Sequence, residues 1–182
     1  MMNEIMKLLQ SIEIVVFDVD GVLTDGSITY TDGGFEIKTF NAKDGQGIVM
    51  LAKDGFITAI ITARQSKVVD IRAKDLGITH VYQGCKNKIL ALDELIKKYG
   101  VDYSNVAYIG DDLPDMCVLE KAGFACCPAD AVDEVKSICH HITKKEGGRG
   151  AVREMTDLII KAKKNKENKI IGAEVSLPSF KK

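Results

Sequence analysis

Aspartates gather at two places where the chain leaves an apolar run. FDVDGVLTDG (17–26) carries Asp18 and Asp20, and IGDDLPDM (109–116) carries Asp111, Asp112 and Asp115. Residues two apart on a strand face the same side, so Asp18 and Asp20 set two carboxylates at one sheet edge before the chain turns at Gly21. No cation neighbours them in sequence, and carboxylates crowded together out of water are costly unless a cation joins them. Helix caps or turn aspartates would account for either cluster alone. Two clusters, each directly after a buried strand, point instead to a shared site. Asp18, Asp20 and Asp111 together make a hard, oxygen-rich set suited to Mg2+.

Thr62 closes another apolar run, where its hydroxyl and the following backbone N–H groups could hold phosphoryl oxygens at a helix start. Lys88, in GCKNKILAL, lies near a helix start and could neutralise both a phosphate and a carboxylate nucleophile, although Lys86 competes for that role. Each is weak alone, since a strand-end threonine is usually a helix cap. Arg64 and Arg72 are eight apart on an expected helix and project broadly to one side, with Lys67 beside Arg64. Arg149 sits between glycines in GGRGA. A solvated helix face and an exposed loop charge are the plain alternatives for these four cations.

The elements that must position these residues alternate. Nearly continuous apolar runs at 12–18, 57–62, 80–84, 106–111 and 123–127 read as buried parallel strands. Helical stretches fall at about 44–54, 66–76, 87–99, 113–121, 131–138 and 151–164. Alternating β and α units predict an α/β, doubly wound, mainly parallel Rossmann-like sheet with helices on both faces and active groups at the strands' carboxyl ends. One insertion breaks the pattern. SITYT, Asp32-Gly33-Gly34 and FEIKTF make a β-hairpin over 27–40, because Asp-Gly between β-rich runs is a turn signal. Residues 1–164 then form a single domain, and 165–182 a tail that is flexible or docks on a neighbouring chain.

In the order DxDG, Thr, Lys, GDDxxD, the sequence resembles the haloacid-dehalogenase-like phosphatases from about Ile12 to Met155. The resemblance implies that Asp18 attacks the phosphorus and becomes an aspartyl phosphate, while Asp20 protonates the leaving oxygen and then activates water. It implies Mg2+ on Asp18, Asp111 and the Asp20 backbone carbonyl, Asp112 or Asp115 orienting metal-bound water or the lysine, and Thr62 and Lys88 on the phosphoryl group. A carboxylate attacks a dianionic phosphate poorly, so cations must cancel charge in the transition state. A cap domain has no room: the hairpin and one helix fill most of the interval from Asp18 to Thr62, and a helix, a strand and a turn fill that from Thr62 to Lys88.

A closer resemblance is to the capless 3-deoxy-D-manno-octulosonate 8-phosphate phosphatases, through FDVDGVLTDG, FNAKDGQGIVML (40–51), TARQSKVVDIRAKDLGITHVYQG (62–84), NVAYIGDDLPDM (105–116) and GGRGAVRE (147–154). It implies a sugar-acid phosphate substrate, a role in lipopolysaccharide sugar synthesis, Arg64, Lys67, Arg72 and Arg149 as substrate-binding residues, and a homotetramer. Arginine forks suit a substrate carboxylate. Ala63 departs from the family's usual glycine. Phosphatases of nine-carbon, sialic-acid-like 9-phosphates are the nearest alternative, but they tend to be acidic at the position of Arg64. A phosphorelay receiver domain lacks both the second aspartate of DxD and the distal GDDxxD.

Composition adds exclusions. With 25 basic and 26 acidic residues in 182, the net charge of −1 gives no general reason to bind nucleic acid or acidic membranes. No apolar run approaches the ~20 residues of a membrane span, and Glu4 and Glu13 interrupt any signal-like stretch, so a cytoplasmic protein is expected. The five cysteines match no zinc spacing even with His140 and His141, and read as reduced core residues. On the hairpin, Ile28, Tyr30, Phe35, Ile37 and Phe40 are more apolar surface than a two-stranded ribbon should expose, which predicts burial against hairpins of other chains.

Overall fold

The computed structural model describes residues 2–174. The inner strands of its main sheet are short β-branched or apolar runs whose alternate side chains enter opposite cores. Strand β1 (Ile14–Phe17) is central: Ile14 and Val16 face one core, Val15 and Phe17 the other. A hairpin follows, made of β2 (Thr29–Tyr30) and β3 (Glu36–Ile37). The main sheet continues with β4 (Ile57–Ile61), β5 (His80–Tyr82), β6 (Val106–Ile109), β7 (Phe124–Cys127) and β8 (His141–Ile142). Its order is β5-β4-β1-β6-β7-β8, and every pairing is parallel.

Helices α2 (Ala42–Lys53), α3 (Lys67–Leu76) and α7 (Ala151–Glu174) cover one face through Ile48, Leu51, Val69, Met155 and Ile159. Helix α1 (Met2–Leu8), not among the expected elements, lies at the edge of the same core through Ile5 and Met6. Helices α4 (Lys88–Tyr99), α5 (Met116–Leu119) and α6 (Asp133–Ile138) cover the other face through Leu92, Leu95, Val118 and Val135. Within α2, Gly47 allows a close approach to α7, because a Cβ there would lie 2.3 Å from Thr156 Oγ1. The doubly wound, mainly parallel sheet with helices on both faces is therefore observed.

Four details differ from the expectations. The stretch 113–121 is a 3-10 turn, Leu113–Asp115, followed by the short α5, since Asp112 caps a turn that contains Pro114. Strand β8 is two residues long, too short to show a period in sequence. The last helix does not stop near residue 164: the lysine-rich run has no breaker before Gly172, so α7 takes up the expected tail as far as Glu174. Residues 175–182 lie outside the described residues. All five cysteines are free, but only Cys126 and Cys127 are fully buried, while Cys117 is exposed. His140 and His141 serve other ends: His140 Nδ1 accepts the Ala125 N–H at 2.9 Å, and His141 Nε2 lies 3.4 Å from Glu154.

Candidate active site

From β1 the chain moves outward through β4 and β5, then crosses back to β6, so the winding reverses between β1 and β6. A crevice opens at the carboxyl ends of two strands that diverge in this way. Asp18 directly follows β1, its N–H bonded to Ile109 O at 3.1 Å, and Asp111 lies two residues past the end of β6. The chain then turns sharply, with the N–H groups of Val22, Leu23 and Thr24 all reaching Val19 O. Gly21 permits this turn. Its φ is +81°, and a Cβ there would sit 2.0 Å from Asp111 Oδ2. The two acidic loops meet across a residue with no side chain.

The pocket between them has a volume of about 270 Å³, and Asp18, Asp20, Thr62, Lys88, Asp111 and Asp115 all line it. Thr62, one residue past β4, is pinned by its own N–H to Tyr82 O at 2.9 Å and by Cys85 N–H to its carbonyl at 3.0 Å. Lys88 opens α4 with 2% of its side chain exposed. Its ammonium lies 3.0 Å from Asp18 Oδ2 and 2.7 Å from Asp115 Oδ1. Lys86 is exposed and does not line the pocket, so of the two lysines it is Lys88 that stands beside Asp18.

Asp115 shares three-carboxylate geometry with Asp18 and Asp111, with one oxygen of each lying within 4.8 Å of the others. Its lone pairs are already committed, however. Oδ1 accepts from Lys88 and from the buried Tyr108 hydroxyl, and Oδ2 accepts from the N–H groups of Asp111 and Asp112 at 3.1 and 3.4 Å. Asp115 thus anchors the lysine, which leaves Asp18 and Asp111 with oxygens available to a cation. Asp112 is exposed and accepts Leu113 N–H at 2.7 Å, a turn-capping role.

Electrostatics support the same division. Burial, and then the charge of Asp115, push the Asp18 carboxyl up to about 7 against the opposing pull of Lys88. Burial, followed by Asp18 and Asp115, pushes Asp111 up to about 8. Burial would lower the Lys88 ammonium, but Asp18 and Asp115 more than offset it and its pKa is raised. Asp18 Oδ1 and Asp20 Oδ2 are buried with no hydrogen-bond donor. A pocket holding more buried negative charge than its lysine offsets, with an unpartnered carboxylate oxygen, fits a hard divalent cation.

The cations expected to bind substrate are not brought together. Arg64 lies in the loop before α3, not on it, and reaches the pocket rim. Its Nη2 is 2.7 Å from Glu36 Oε1 and 3.1 Å from the Tyr30 hydroxyl, and its Nε is 3.6 Å from Asp20 Oδ2. Arg72 is on α3, so the two do not share a helix face. Its guanidinium lies 5.6 Å from the centre of the Phe40 ring, within a separate depression. Lys67, the first residue of α3, is exposed and lies outside the pocket lining. Arg149 is paired with Asp25 at 3.1 Å in a loop that buttresses the first acidic turn through Gly148 N–H to Val22 O.

Lys38 and Glu36 were not expected near the site, yet they pair with two residues of the pocket lining, Asp20 and Arg64. Lys38 Nζ bonds Asp20 Oδ1 and lies 3.4 Å from Glu36 Oε1. The signal lies in the sequence: positions 36 and 38 of an extended segment share a face, here two opposite charges beside the hairpin's apolar residues. Tyr108 was hidden inside an apolar run, although a buried phenol needs a hydrogen-bond partner.

This fold and site define a class of phosphate-handling hydrolase, and a family model for haloacid dehalogenase-like hydrolases matches residues 57–155. The chain belongs to the haloacid dehalogenase-like hydrolases. It is 43% identical over 159 residues to the 3-deoxy-D-manno-octulosonate 8-phosphate phosphatase of Escherichia coli, covering 87% of this chain and 85% of that one. The enzyme of that name from Yersinia pestis is 41% identical over 94% of this chain and 89% of its own. Among solved structures, the Moraxella catarrhalis 3-deoxy-D-manno-octulosonate 8-phosphate phosphatase, in complex with magnesium ion, phosphate ion and KDO, superposes with a TM-score of 0.89. It is 45% identical and covers 94% of this chain and 99% of that one.

Proposed function

We propose that the protein is a Mg2+-dependent phosphomonoesterase that converts 3-deoxy-D-manno-octulosonate 8-phosphate to the free sugar acid and phosphate, in lipopolysaccharide sugar synthesis. The observation that carries this reading is Asp18: one oxygen lies 3.0 Å from a buried lysine, while the other is buried and bare. The relatives found are named for the eight-carbon substrate, which favours it over a nine-carbon acid.

Asp18 attacks the phosphorus, and the bond to the sugar oxygen breaks with its electron pair leaving on that oxygen. Asp20 delivers a proton there. It then takes a proton from the water that attacks the aspartyl phosphate, releasing phosphate and restoring Asp18. Lys88, held by Asp115, and the Thr62 hydroxyl bind the phosphoryl oxygens. Asp18, Asp111 and the Asp20 carbonyl would hold Mg2+, which would supply the positive charge that lets two anions approach. Arg64 at the rim is placed to meet the substrate's polar end, with Lys67, Arg72 and Arg149 farther out as candidates.

A self-assembled tetramer, with hairpins 27–40 packed together, completes the proposal. Ile28, Tyr30, Phe35 and Ile37 are all exposed in the single chain, and Phe35 is 75% exposed. Among the described residues no helix is long and apolar enough to cross a membrane; a small anionic substrate suits a cytoplasmic enzyme. Phosphate release over a panel of sugar phosphates, with and without Mg2+, tests the function. The expected result is a preference for the eight-carbon acid; equal rates on simple phosphomonoesters would overturn it.

A further inference from the structure

Asp20 is gripped from the hairpin. Lys38, one residue past β3, has 1% of its side chain exposed, an unusual place for an ammonium unless it is paired on more than one side. Its partners are Asp20 Oδ1 and, at 3.4 Å, Glu36 Oε1. Glu36 also accepts from Arg64 at 2.7 Å, and Arg64 Nε leans toward Asp20 Oδ2 from 3.6 Å. A hydrogen bond from Ser66 first, then Arg64 and Lys38, hold the Glu36 carboxyl down at about 2 despite some burial, so it is a fixed anion among these paired charges.

The asymmetry of this grip bears on the reaction. Oδ1 is engaged by Lys38, whereas Oδ2 is buried without a hydrogen-bond donor, and Asp20 itself is part of the pocket lining. A carboxylic acid whose carbonyl oxygen is held presents its other oxygen as the O–H donor. We infer that Lys38 is a positioning residue for Asp20: it holds Oδ1 so that Oδ2 faces the leaving-group oxygen, with Glu36 anchoring Lys38 in turn. As the P–O bond to the alcohol breaks, the Oδ2 proton passes to that oxygen while Asp18 forms its bond to phosphorus. The hairpin thus enters the chemistry by aiming the acid. The inference rests on the proposed phosphatase reading, in which Asp20 is the general acid.

Acid assistance matters when the leaving alkoxide is strongly basic and little when it is not, so a leaving-group comparison separates aim from general damage. The variants Lys38→Met, Lys38→Arg, Glu36→Gln and Asp20→Asn are assayed with saturating Mg2+ on the sugar-acid phosphate and on 4-nitrophenyl phosphate. The readout is kcat/KM, which reports the first phosphoryl transfer. General acids contribute roughly 10²–10⁴-fold. Lys38→Met is therefore expected to lose about 10²-fold on the alkyl phosphate and only a few-fold on the nitrophenyl ester. Lys38→Arg should recover most of the loss, and Glu36→Gln should show the same split in weaker form. Equal losses on both substrates, or no loss, would overturn the inference. If Lys38→Met does not fold, Glu36→Gln decides: a split supports the positioning role, and no split sinks it. Asp20→Asn keeps the two readings apart. No split in Asp20→Asn removes the general acid itself, whereas a split there without one in Lys38→Met removes only the positioning role.

Discussion

At the residue scale, two aspartates two apart have different environments and should fail differently. Asp18 lies beside Lys88 with a bare oxygen, so Asp18→Asn should abolish turnover and prevent any phosphorylated protein from accumulating. Asp20→Asn should slow turnover on the sugar phosphate by roughly 10²–10⁴-fold while substrate still binds. Near wild-type rates from purified Asp18→Asn would end the covalent-aspartate reading. Asp18 and Asp111 also make stability depend on pH and metal together. Their carboxyls are pushed up to about 7 and 8, so without a cation the folded chain binds more protons than the unfolded one above about pH 4. Stability of the metal-free protein should therefore fall as pH rises through 7 to 8. Mg2+ competes with those protons, so its rise in Tm should be larger at pH 8 than at pH 5.5. A rise that does not vary with pH, measured by thermal melts with and without chelator, would contradict the assignment of both ligands.

At the element scale, α2 and α7 are joined by one buried carboxylate. Asp44, 1% exposed on the first turn of α2, accepts the Gly150 N–H at 3.1 Å and the Arg153 N–H at 2.7 Å, and so caps the start of α7. Both donors would lose their partner in Asp44→Ala, at a cost of about 1–3 kcal/mol. Urea denaturation should show that loss with an unchanged m-value. Because the same loop carries Arg149 and buttresses the turn at Gly21, activity should fall as well. Stability within about 0.3 kcal/mol of wild type would mean that water replaces the cap. None of this was visible in FNAKDGQGIVML, where Asp44 reads as an ordinary first-turn acid. The loop it caps lies more than a hundred residues away.

At the scale of the whole molecule, the open pocket and the apolar hairpin pose one problem with one proposed solution, assembly. Replacing Tyr30 and Ile37 together by Asp should dissociate the oligomer and depress activity in parallel, although neither performs chemistry; sedimentation and rate measured on the same samples check this. A wild type that sediments as a monomer with full activity would refute it. The division between sequence and structure follows interaction range. Strand-end aspartates, β-branched runs, the Asp-Gly turn and the order of the motifs are local, so Asp18, Asp20, Thr62 and Asp111 and the doubly wound sheet were legible in the chain alone. Choosing Lys88 over Lys86, giving Asp115 to the lysine, separating Arg64 from Arg72 and placing Lys38 against Asp20 all depended on where loops from different strands meet. Charge identity is written in the sequence, but partnership is a distance across the fold, and only the tertiary structure supplies that distance.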